Sequence, residues 1–461
     1  MTDTATADRM RVVDRVGVLH AAALFAVLFL VSWLRHRNGW TGFDLAIFDQ
    51  GAWQLSQDRA HISIVERHVL ADHFSPVLYA FGALYRLAPS PAWLLGGQAL
   101  ALGATVLPRR AIARQVGQPA NRASVLVAVS SPLLAAGLFD FHPSTLAVPF
   151  VAMAILFGLQ GRATPAVLSA LGIALCRADL APVIVAVAVV STPRVRWRLL
   201  VVALVSLLAS SVLPSRFGET TDAWATYFEH LGDGPMDAAL HPWRIVTQLA
   251  SSMAIAMLWF MAAGLVVLRR PRWVLAVLIA GLPVLLSQWK GTSLPWYHYG
   301  APIAPIAIAG TLVGLDAIAD RSDTWSRRFR AAWWGSALLV LALASPLSPA
   351  APESNRVWTV AFTDGGRDLD GALALVEPDD AVSADQRALP HVSQRELVYL
   401  YPIPFAPAPD FFPPGSEPDL DRYDDDAVDV VIAPEGFEHL APEPFEVVAR
   451  VDGYVVLRRA P

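Results

Sequence analysis

The fold of this chain follows from residues 16–34, VGVLHAAALFAVLFLVSWL, a run in which no side chain is acidic or basic apart from one histidine. As an α-helix this run is long enough to cross the hydrocarbon core of a bilayer, which is roughly 30 Å thick. It is longer than the apolar part of a signal peptide, and no small-residue cleavage site follows it. The sequence therefore predicts a retained membrane helix.

Composition predicts that most of the chain lies in a membrane. Hydrophobic residues make up 55% of the 461 residues and charged residues only 16%, against roughly 25% charged residues in a soluble domain. The mean hydropathy of +0.45 agrees with a polytopic membrane protein. A single cysteine, Cys176, excludes an internal disulfide bond and a metal cluster built on cysteines.

Charge divides the chain into two domains. Residues 350–461 carry 22 acidic residues and 8 arginines, whereas residues 1–349 carry 18 acidic residues and 27 basic ones. The apolar segments end near the same boundary. We therefore expect a transmembrane domain at 1–349 and a soluble domain of ordinary size at 350–461. A helical pattern at 364–376 and five strand patterns predict a small α/β fold for the latter, the strands falling at 381–384, 398–401, 428–432, 445–451 and 454–458.

The transmembrane domain is expected to be all-α, with about eleven membrane helices. Two of the apolar segments, 163–176 and 180–192, are short for a spanning helix. The full set is 16–34, 92–108, 123–139, 144–160, 163–176, 180–192, 197–213, 246–268, 273–289, 300–319 and 332–348.

The distribution of basic residues orients these helices. With the N-terminus in the cytoplasm, 18 basic residues fall on the inner side and 9 on the outer side, as the positive-inside rule requires. This frame predicts a cytoplasmic N-terminus, a long outer loop at 35–91 and an extracytoplasmic C-terminal domain. Counting Phe74–Ala88 as a further span would move the four arginines of residues 109–122 from the cytoplasmic to the outer side. We therefore expect a juxtamembrane helix at Phe74–Ala88, with Tyr79 and Tyr85 near the lipid headgroups.

Acidic, histidine and aromatic residues collect in the predicted outer loops. Asp44 and Asp49 follow the first span closely, within Gly42-Phe-Asp-Leu-Ala-Ile-Phe-Asp-Gln-Gly-Ala-Trp53. Such carboxylates suit the base of an enzyme that acts on a lipid-linked substrate, although an amphipathic loop could equally carry two solvated acids. If 43–55 is helical, the two residues lie about 140° apart and do not form one local pair. Seven histidines share this side, which suggests one external cavity: His61, His68, His73, His142, His230, His241 and His298.

Eight sequence motifs are spread over nearly the whole chain: Phe43-Asp-Leu-Ala-Ile-Phe-Asp-Gln50, Asp72-His-Phe-Ser-Pro76, Phe139-Asp-Phe-His-Pro143, Arg177-Ala-Asp-Leu180, Tyr297-His-Tyr299, Val382-Ser-Ala-Asp385, Leu389-Pro-His-Val-Ser393 and Asp452-Gly-Tyr-Val-Val-Leu-Arg458. Together they resemble the family of predicted bacterial membrane proteins catalogued as domain of unknown function 2079, which implies a location in the bacterial cytoplasmic membrane. More distantly, the layout of the chain is similar to that of the GT-C glycosyltransferases, polytopic enzymes with an acidic residue in the first outer loop.

The GT-C resemblance implies transfer of a hexosyl or pentosyl group from a polyprenyl-phosphate donor outside the cytoplasmic membrane. Asp44 is then the first candidate for the catalytic base and Asp49 the second; the alternative is an acid that caps a juxtamembrane helix. Arg177 would hold the donor phosphate beside Asp179, unless the two form only a structural ion pair.

Four further residues are candidate substrate contacts. His73 and His142 could instead satisfy helix ends, and His298 could belong to an aromatic belt. Lys290 is the only lysine and could be a helix-end charge that reaches the membrane surface.

Other classes of ligand lack a clear signal in the sequence. A divalent metal is possible, but His61, His68, His73 and Asp72 lack the spacing of a shared helix face. No glycine-rich phosphate loop and no nucleic-acid signal is present. The expected partners are the lipid-linked sugar and membrane lipid. A transporter or flippase for a lipid or polymer, or a non-catalytic assembly protein, remains the alternative function.

Overall fold

The computed structural model describes residues 14–71, 74–218, 223–319, 324–363, 365, 369–407, 419–451 and 453–460. The protein is mostly helical, with 63% of its residues in helices, and it ends in a small region of β-sheet. This agrees with the expected helical membrane domain followed by an α/β domain.

The helices of the membrane domain follow the predicted apolar segments closely. Ala163–Cys176, for example, has the predicted bounds. In chain order they are α1 (Arg15–Arg37), α2 (Phe43–Ser56), α3 (Leu78–Tyr85), α4 (Ala92–Ala104), α5 (Val106–Gln115), α6 (Ala120–Ala128), α7 (Ser131–Leu138), α8 (Pro143–Leu146), α9 (Val148–Leu159), α10 (Ala163–Cys176), α11 (Ala181–Val190), α12 (Pro193–Val212), α13 (Ala223–Phe228), α14 (Pro235–Leu240), α15 (Pro242–Ser251), α16 (Met253–Ala262), α17 (Pro271–Leu286), α18 (Ala304–Ala319) and α19 (Thr324–Leu343).

The count of eleven spanning helices is not confirmed. Among the described residues, two helical segments are long and apolar enough to cross a membrane, Arg15–Arg37 and Pro193–Arg216. Two bent pairs, α6 with α7 at 50° and α15 with α16 at 47°, would raise that number to four. Prolines in the first turns of α7, α8, α9 and α11 explain part of the difference, because proline begins a new helix more readily than it continues one.

Helix α1 packs most extensively against α4. A Cβ atom added at Gly103 of α4 would lie only 2.6 Å from the carbonyl oxygen of Ala21, so glycine is needed for this close approach. The Asp14 side chain caps the start of α1 by accepting a hydrogen bond from the Gly17 amide, 2.9 Å away. Asp14 also binds Arg110 and Arg114, which places α5 beside the N-terminus of α1.

The predicted helix at Phe74–Ala88 is observed as α3, which has 8 residues and is too short to cross a bilayer. Its packing differs from the expectation in one respect. Tyr79 is 47% exposed, but Tyr85 is fully buried against α2 and does not face the headgroup region. The helical periodicity placed both tyrosines correctly on a helix, whereas the partner of Tyr85 comes from a different element.

The C-terminal region contains helices α20 (Val357–Phe362), α21 (Leu369–Leu373) and α22 (Leu389–Val392) beside a mixed sheet. A short strand pair, β1 (His61–Ile62) and β2 (Arg67–His68), lies in the loop that follows α2. The strands of the C-terminal sheet are β3 (Val382–Ala384), β4 (Val398–Leu400), β5 (Val430–Pro434), β6 (Phe445–Val451) and β7 (Tyr454–Arg459), which confirms the strand predictions within two residues at each end. The sheet order is β4-β3-β5-β7-β6; β3 is parallel to β4 and β5, and β7 is antiparallel to β5 and β6.

This sheet docks directly on α2 and on the loop that follows it. The Ser63 hydroxyl donates to the Val398 carbonyl and accepts from the Val398 amide, both at 2.9 Å. The Gln54 amide donates to the Glu396 carbonyl at 3.1 Å. The C-terminal region is therefore fixed against the helix that carries Asp44 and Asp49.

Candidate functional site

Asp44 lies in the first turn of α2, where a carboxylate interacts favourably with the helix dipole. Its side chain is 37% exposed, so a substrate can reach it. The Asp140 carboxylate accepts hydrogen bonds from the Gly42 amide at 3.0 Å and the Leu45 amide at 3.4 Å. Asp44 is thus held at a helix start that a second carboxylate caps.

His142 faces Asp44. Its Nε2 atom lies 3.8 Å from an Asp44 carboxylate oxygen, beyond hydrogen-bond length but close enough for a charge interaction. The Nδ1 atom lies 3.2 Å from the Asp140 carbonyl oxygen, which can only accept, so Nδ1 carries a proton. The His142 amide donates to Gln98 Oε1 at 3.0 Å. Ring and backbone are therefore both held, and Nε2 is directed at the carboxylate.

Aromatic rings enclose this pair on one side. The His298 ring stacks on His142 with ring centroids 3.3 Å apart, and Phe139 stacks against both histidines. Tyr297 meets the Phe139 ring edge-on at 5.0 Å. His298 is buried in this cluster, so it contacts the site and not only an outer aromatic belt.

Arg177 and Asp179 form a two-point ion pair. Nε of Arg177 lies 2.8 Å from Oδ1 of Asp179, and a terminal nitrogen lies 2.7 Å from Oδ2. The charges of Arg177 and Asp44 both act on the Tyr299 hydroxyl. Burial raises the pKa of this hydroxyl well above its usual value, Tyr227 and Asp44 raise it further, and Arg177 opposes them. The base candidate and the cation are therefore both within electrostatic range of Tyr299.

Asp49 lies on a different face of α2 and is fully buried. Its carboxylate accepts hydrogen bonds from the Tyr85 hydroxyl at 2.5 Å, the Ser393 hydroxyl at 2.5 Å and the Gln394 amide at 3.2 Å. Burial raises its pKa to about 6, although the three donors lower it. The predicted separation from Asp44 is observed. Because Asp49 has no access to solvent, we interpret it as the anchor of the C-terminal domain.

Of the eight predicted site residues, Asp44, His142 and His298 form one contact cluster, and Arg177 and Asp179 form an ion pair whose arginine acts electrostatically on Tyr299, the neighbour of His298. Asp49 is directed elsewhere. His73 lies outside the described residues, and for Lys290 only the backbone is described, at the start of a short 3₁₀ segment Lys290–Ser293. Among the described side chains, no group of three histidine, cysteine or carboxylate residues is arranged to hold a metal ion.

Three contributors were not predicted as site residues, namely Arg35, Asp140 and Tyr299. Arg35 and Asp140 form a buried ion pair beside the start of α2. The sequence held signals for two of them, because Asp140 belongs to the motif Phe139-Asp-Phe-His-Pro143 and Tyr299 belongs to the motif Tyr297-His-Tyr299. A buried charge is costly unless it is paired, so an acidic residue between two phenylalanines indicates a buried partner.

A family model described as predicted membrane protein (DUF2079) matches residues 39–409. The chain belongs to this family. The match covers all the membrane-domain motifs and extends into the C-terminal sheet, and it confirms the resemblance expected from the sequence. A search of curated proteins finds no match.

The comparison with solved structures finds distant similarity to ArnT and to an oligosaccharyltransferase. ArnT from Cupriavidus metallidurans bound to undecaprenyl phosphate is 15% identical, with a TM-score of 0.48 over 95% of this chain and 99% of that chain. Its apo state gives 16% identity and a TM-score of 0.47 over 96% and 99% of the two chains. The oligosaccharyltransferase of Archaeoglobus fulgidus in complex with zinc and sulfate gives 13% identity and a TM-score of 0.41 over 94% and 72%.

Proposed function

We propose that this DUF2079 protein is a membrane glycosyltransferase that moves a sugar from a polyprenyl-phosphate donor to a hydroxyl acceptor at the extracytoplasmic face. The observation that carries the proposal is the arrangement around Asp44. A partly exposed carboxylate lies 3.8 Å from a histidine nitrogen, and the charges of this carboxylate and of Arg177 both act on Tyr299.

The arrangement suits a single-step inverting transfer. Asp44 takes the proton of the acceptor hydroxyl while the acceptor oxygen forms a bond to the anomeric carbon. The bond from that carbon to the phosphate oxygen breaks, and its electron pair leaves with the polyprenyl phosphate. Arg177 neutralises the charge that develops on the leaving phosphate, and Asp179 keeps the guanidinium in position.

A cleft lined largely by apolar side chains adjoins the aromatic cluster around His142. Its wall is formed by α16, α19 and the segment before Tyr297, and Tyr297 belongs both to that wall and to the aromatic cluster. The cleft as it stands has room for about one water molecule, so an isoprenoid chain would bind here only after these side chains move apart. The residues that form its apolar wall include Pro132, Ile255, Leu258, Trp259, Leu294 and Val340.

The test is to measure polyprenyl-phosphate sugars by mass spectrometry in a deletion strain complemented with variants. Asp44→Asn keeps the size of the side chain but removes the base, so a strain carrying it should accumulate the unused donor as the deletion strain does. Asp58→Asn is the matched control, because Asp58 is an exposed acid of the same loop and pairs only with Arg86 among the described residues.

Two results would reject the proposal. One is full complementation by Asp44→Asn at normal expression. The other is the absence of any accumulating lipid-linked sugar in both the deletion strain and the Asp44→Asn strain. If the protein is instead a transporter or flippase, its loss should leave the donor on the cytoplasmic face of the membrane. If it is an assembly protein, its loss should not change the amount of any lipid-linked sugar.

A further inference from the structure

Asp140 makes hydrogen bonds on both sides of the Asp44–His142 contact, to the backbone next to Asp44 and to the His142 ring. One carboxylate oxygen accepts from the amides of Gly42 and Leu45, the residues that flank Phe43 and Asp44. Its backbone carbonyl lies 3.2 Å from Nδ1 of His142 and so fixes the direction of the ring.

The other carboxylate oxygen of Asp140 is bound by Arg35 at the end of α1. Both side chains are only 4% exposed, so the pair is removed from solvent. Arg35 also donates to the Ser354 carbonyl at 3.4 Å and lies over the Phe139 ring. Asp140 is therefore attached to α1, to the segment that leads into the C-terminal domain, and to the aromatic cluster of the site.

We infer that Asp140 is the positioning residue that sets the geometry between Asp44 and His142, with Arg35 holding Asp140 in place. In its catalytic consequence the inference rests on the proposed function. Misplacement of a reacting group by about 1 Å can cost about 10²-fold in rate, so a residue that touches no substrate can control transfer.

The test compares two double variants that both remove the buried ion pair. Substituting Asp140 alone would leave Arg35 buried without its carboxylate and could prevent folding. Arg35→Met with Asp140→Asn retains a side-chain oxygen that can accept from the Gly42 and Leu45 amides. Arg35→Met with Asp140→Ala retains none.

The geometry is measured directly by cross-linking. Asp44→Cys and His142→Cys are introduced into full-length protein that carries Cys176→Ala, and the pair is treated with a short bifunctional methanethiosulfonate. Positioning predicts near-normal cross-linking in the Asp140→Asn double variant and a several-fold loss in the Asp140→Ala double variant. Asp380→Asn breaks a less buried ion pair with Arg458 in the C-terminal domain and should leave the cross-linking unchanged.

The second readout is lipid-linked transfer in protein that retains Asp44 and His142. The Asp140→Ala double variant should lose about 10²-fold more transfer than the Asp140→Asn one. Equal cross-linking in the two double variants would overturn the inference and reduce the pair to a structural ion pair. Different cross-linking without transfer in the unsubstituted protein would keep the positioning role of Asp140 and reject the glycosyltransferase.

Discussion

The Ser393 hydroxyl donates a 2.5 Å hydrogen bond to the buried Asp49 carboxylate across 344 residues of sequence. This contact joins the C-terminal domain to the helix that also carries Asp44. The domain is thereby part of the support of the site, because any movement of Ser393 away from α2 would leave Asp49 without one of its three donors.

Asp49→Ala should weaken domain docking and lower thermal stability. It leaves the Tyr85, Ser393 and Gln394 donors without their acceptor, and each buried unsatisfied group costs about 1–3 kcal/mol. Thermal unfolding of the purified protein in detergent, with limited proteolysis of the C-terminal domain, measures the effect. Ser393→Ala should show a smaller loss of the same kind. Unchanged unfolding of Asp49→Ala would show that Asp49 does not anchor the domain.

The pH dependence of stability should carry the signature of Asp49. Burial raises its pKa from 3.8 to about 6, so the folded state favours the protonated carboxyl. The stabilisation from this group is complete below pH 3.8 and is lost as the pH rises through 6, a difference of about 3 kcal/mol. Asp49→Asn should flatten the unfolding profile between about pH 4 and 6, the interval between the unfolded and the folded pKa of the carboxyl. A profile identical to that of the unsubstituted protein would contradict this assignment.

His391 should produce the opposite trend at the same interface. Its ring stacks on His36 at the end of α1 with centroids 4.3 Å apart, and burial lowers its pKa from 6.5 to about 4. Its contribution is present above pH 6.5 and is lost as the pH falls through 4. His391→Phe keeps an aromatic ring that cannot be protonated. The variant should therefore unfold less readily than the unsubstituted protein near pH 4, the lowered pKa of His391. Equal acid sensitivity of the two would refute this role.

Arg177→Lys should abolish most function although it keeps the positive charge. Asp179 binds Arg177 through two nitrogens, and lysine cannot reproduce that fork while also contacting a phosphate. Loss of one such electrostatic contact costs about 10²–10³-fold in rate. Complementation and donor accumulation measure it, with Arg216→Lys, an exposed arginine of a neighbouring loop, as the control. Full activity of Arg177→Lys would remove Arg177 from phosphate binding.

The predicted topology can be tested with paired reporter fusions after Arg122 and at the C-terminus. We expect a cytoplasmic signal after Arg122, because that segment lies at the same end as the start of α1 through the Asp14–Arg110 contact. The C-terminal fusion should report the extracytoplasmic side. Signals from the same side for both fusions would exclude the odd number of crossings between them and move the proposed site to the wrong compartment.

Local structure was largely predictable because it depends on periodicity and on proline. The bounds of α10 and β6 agree with the prediction residue for residue. The number of complete membrane crossings was not predictable in this way. The bends of 50° after α6 and 47° after α15 fall inside single apolar runs, where hydropathy alone shows no interruption.

The sequence by itself determined that this is a helical membrane protein with a C-terminal α/β domain, and that acids and histidines cluster in its loops. Only the tertiary structure distinguished Asp44 from Asp49, which stand five residues apart on one helix. Asp44 is partly exposed beside His142, whereas Asp49 is buried under Ser393 and Gln394. The reason is that solvent access and hydrogen-bond partners come from distant segments, so helical spacing predicts the two directions but not what lies along each of them.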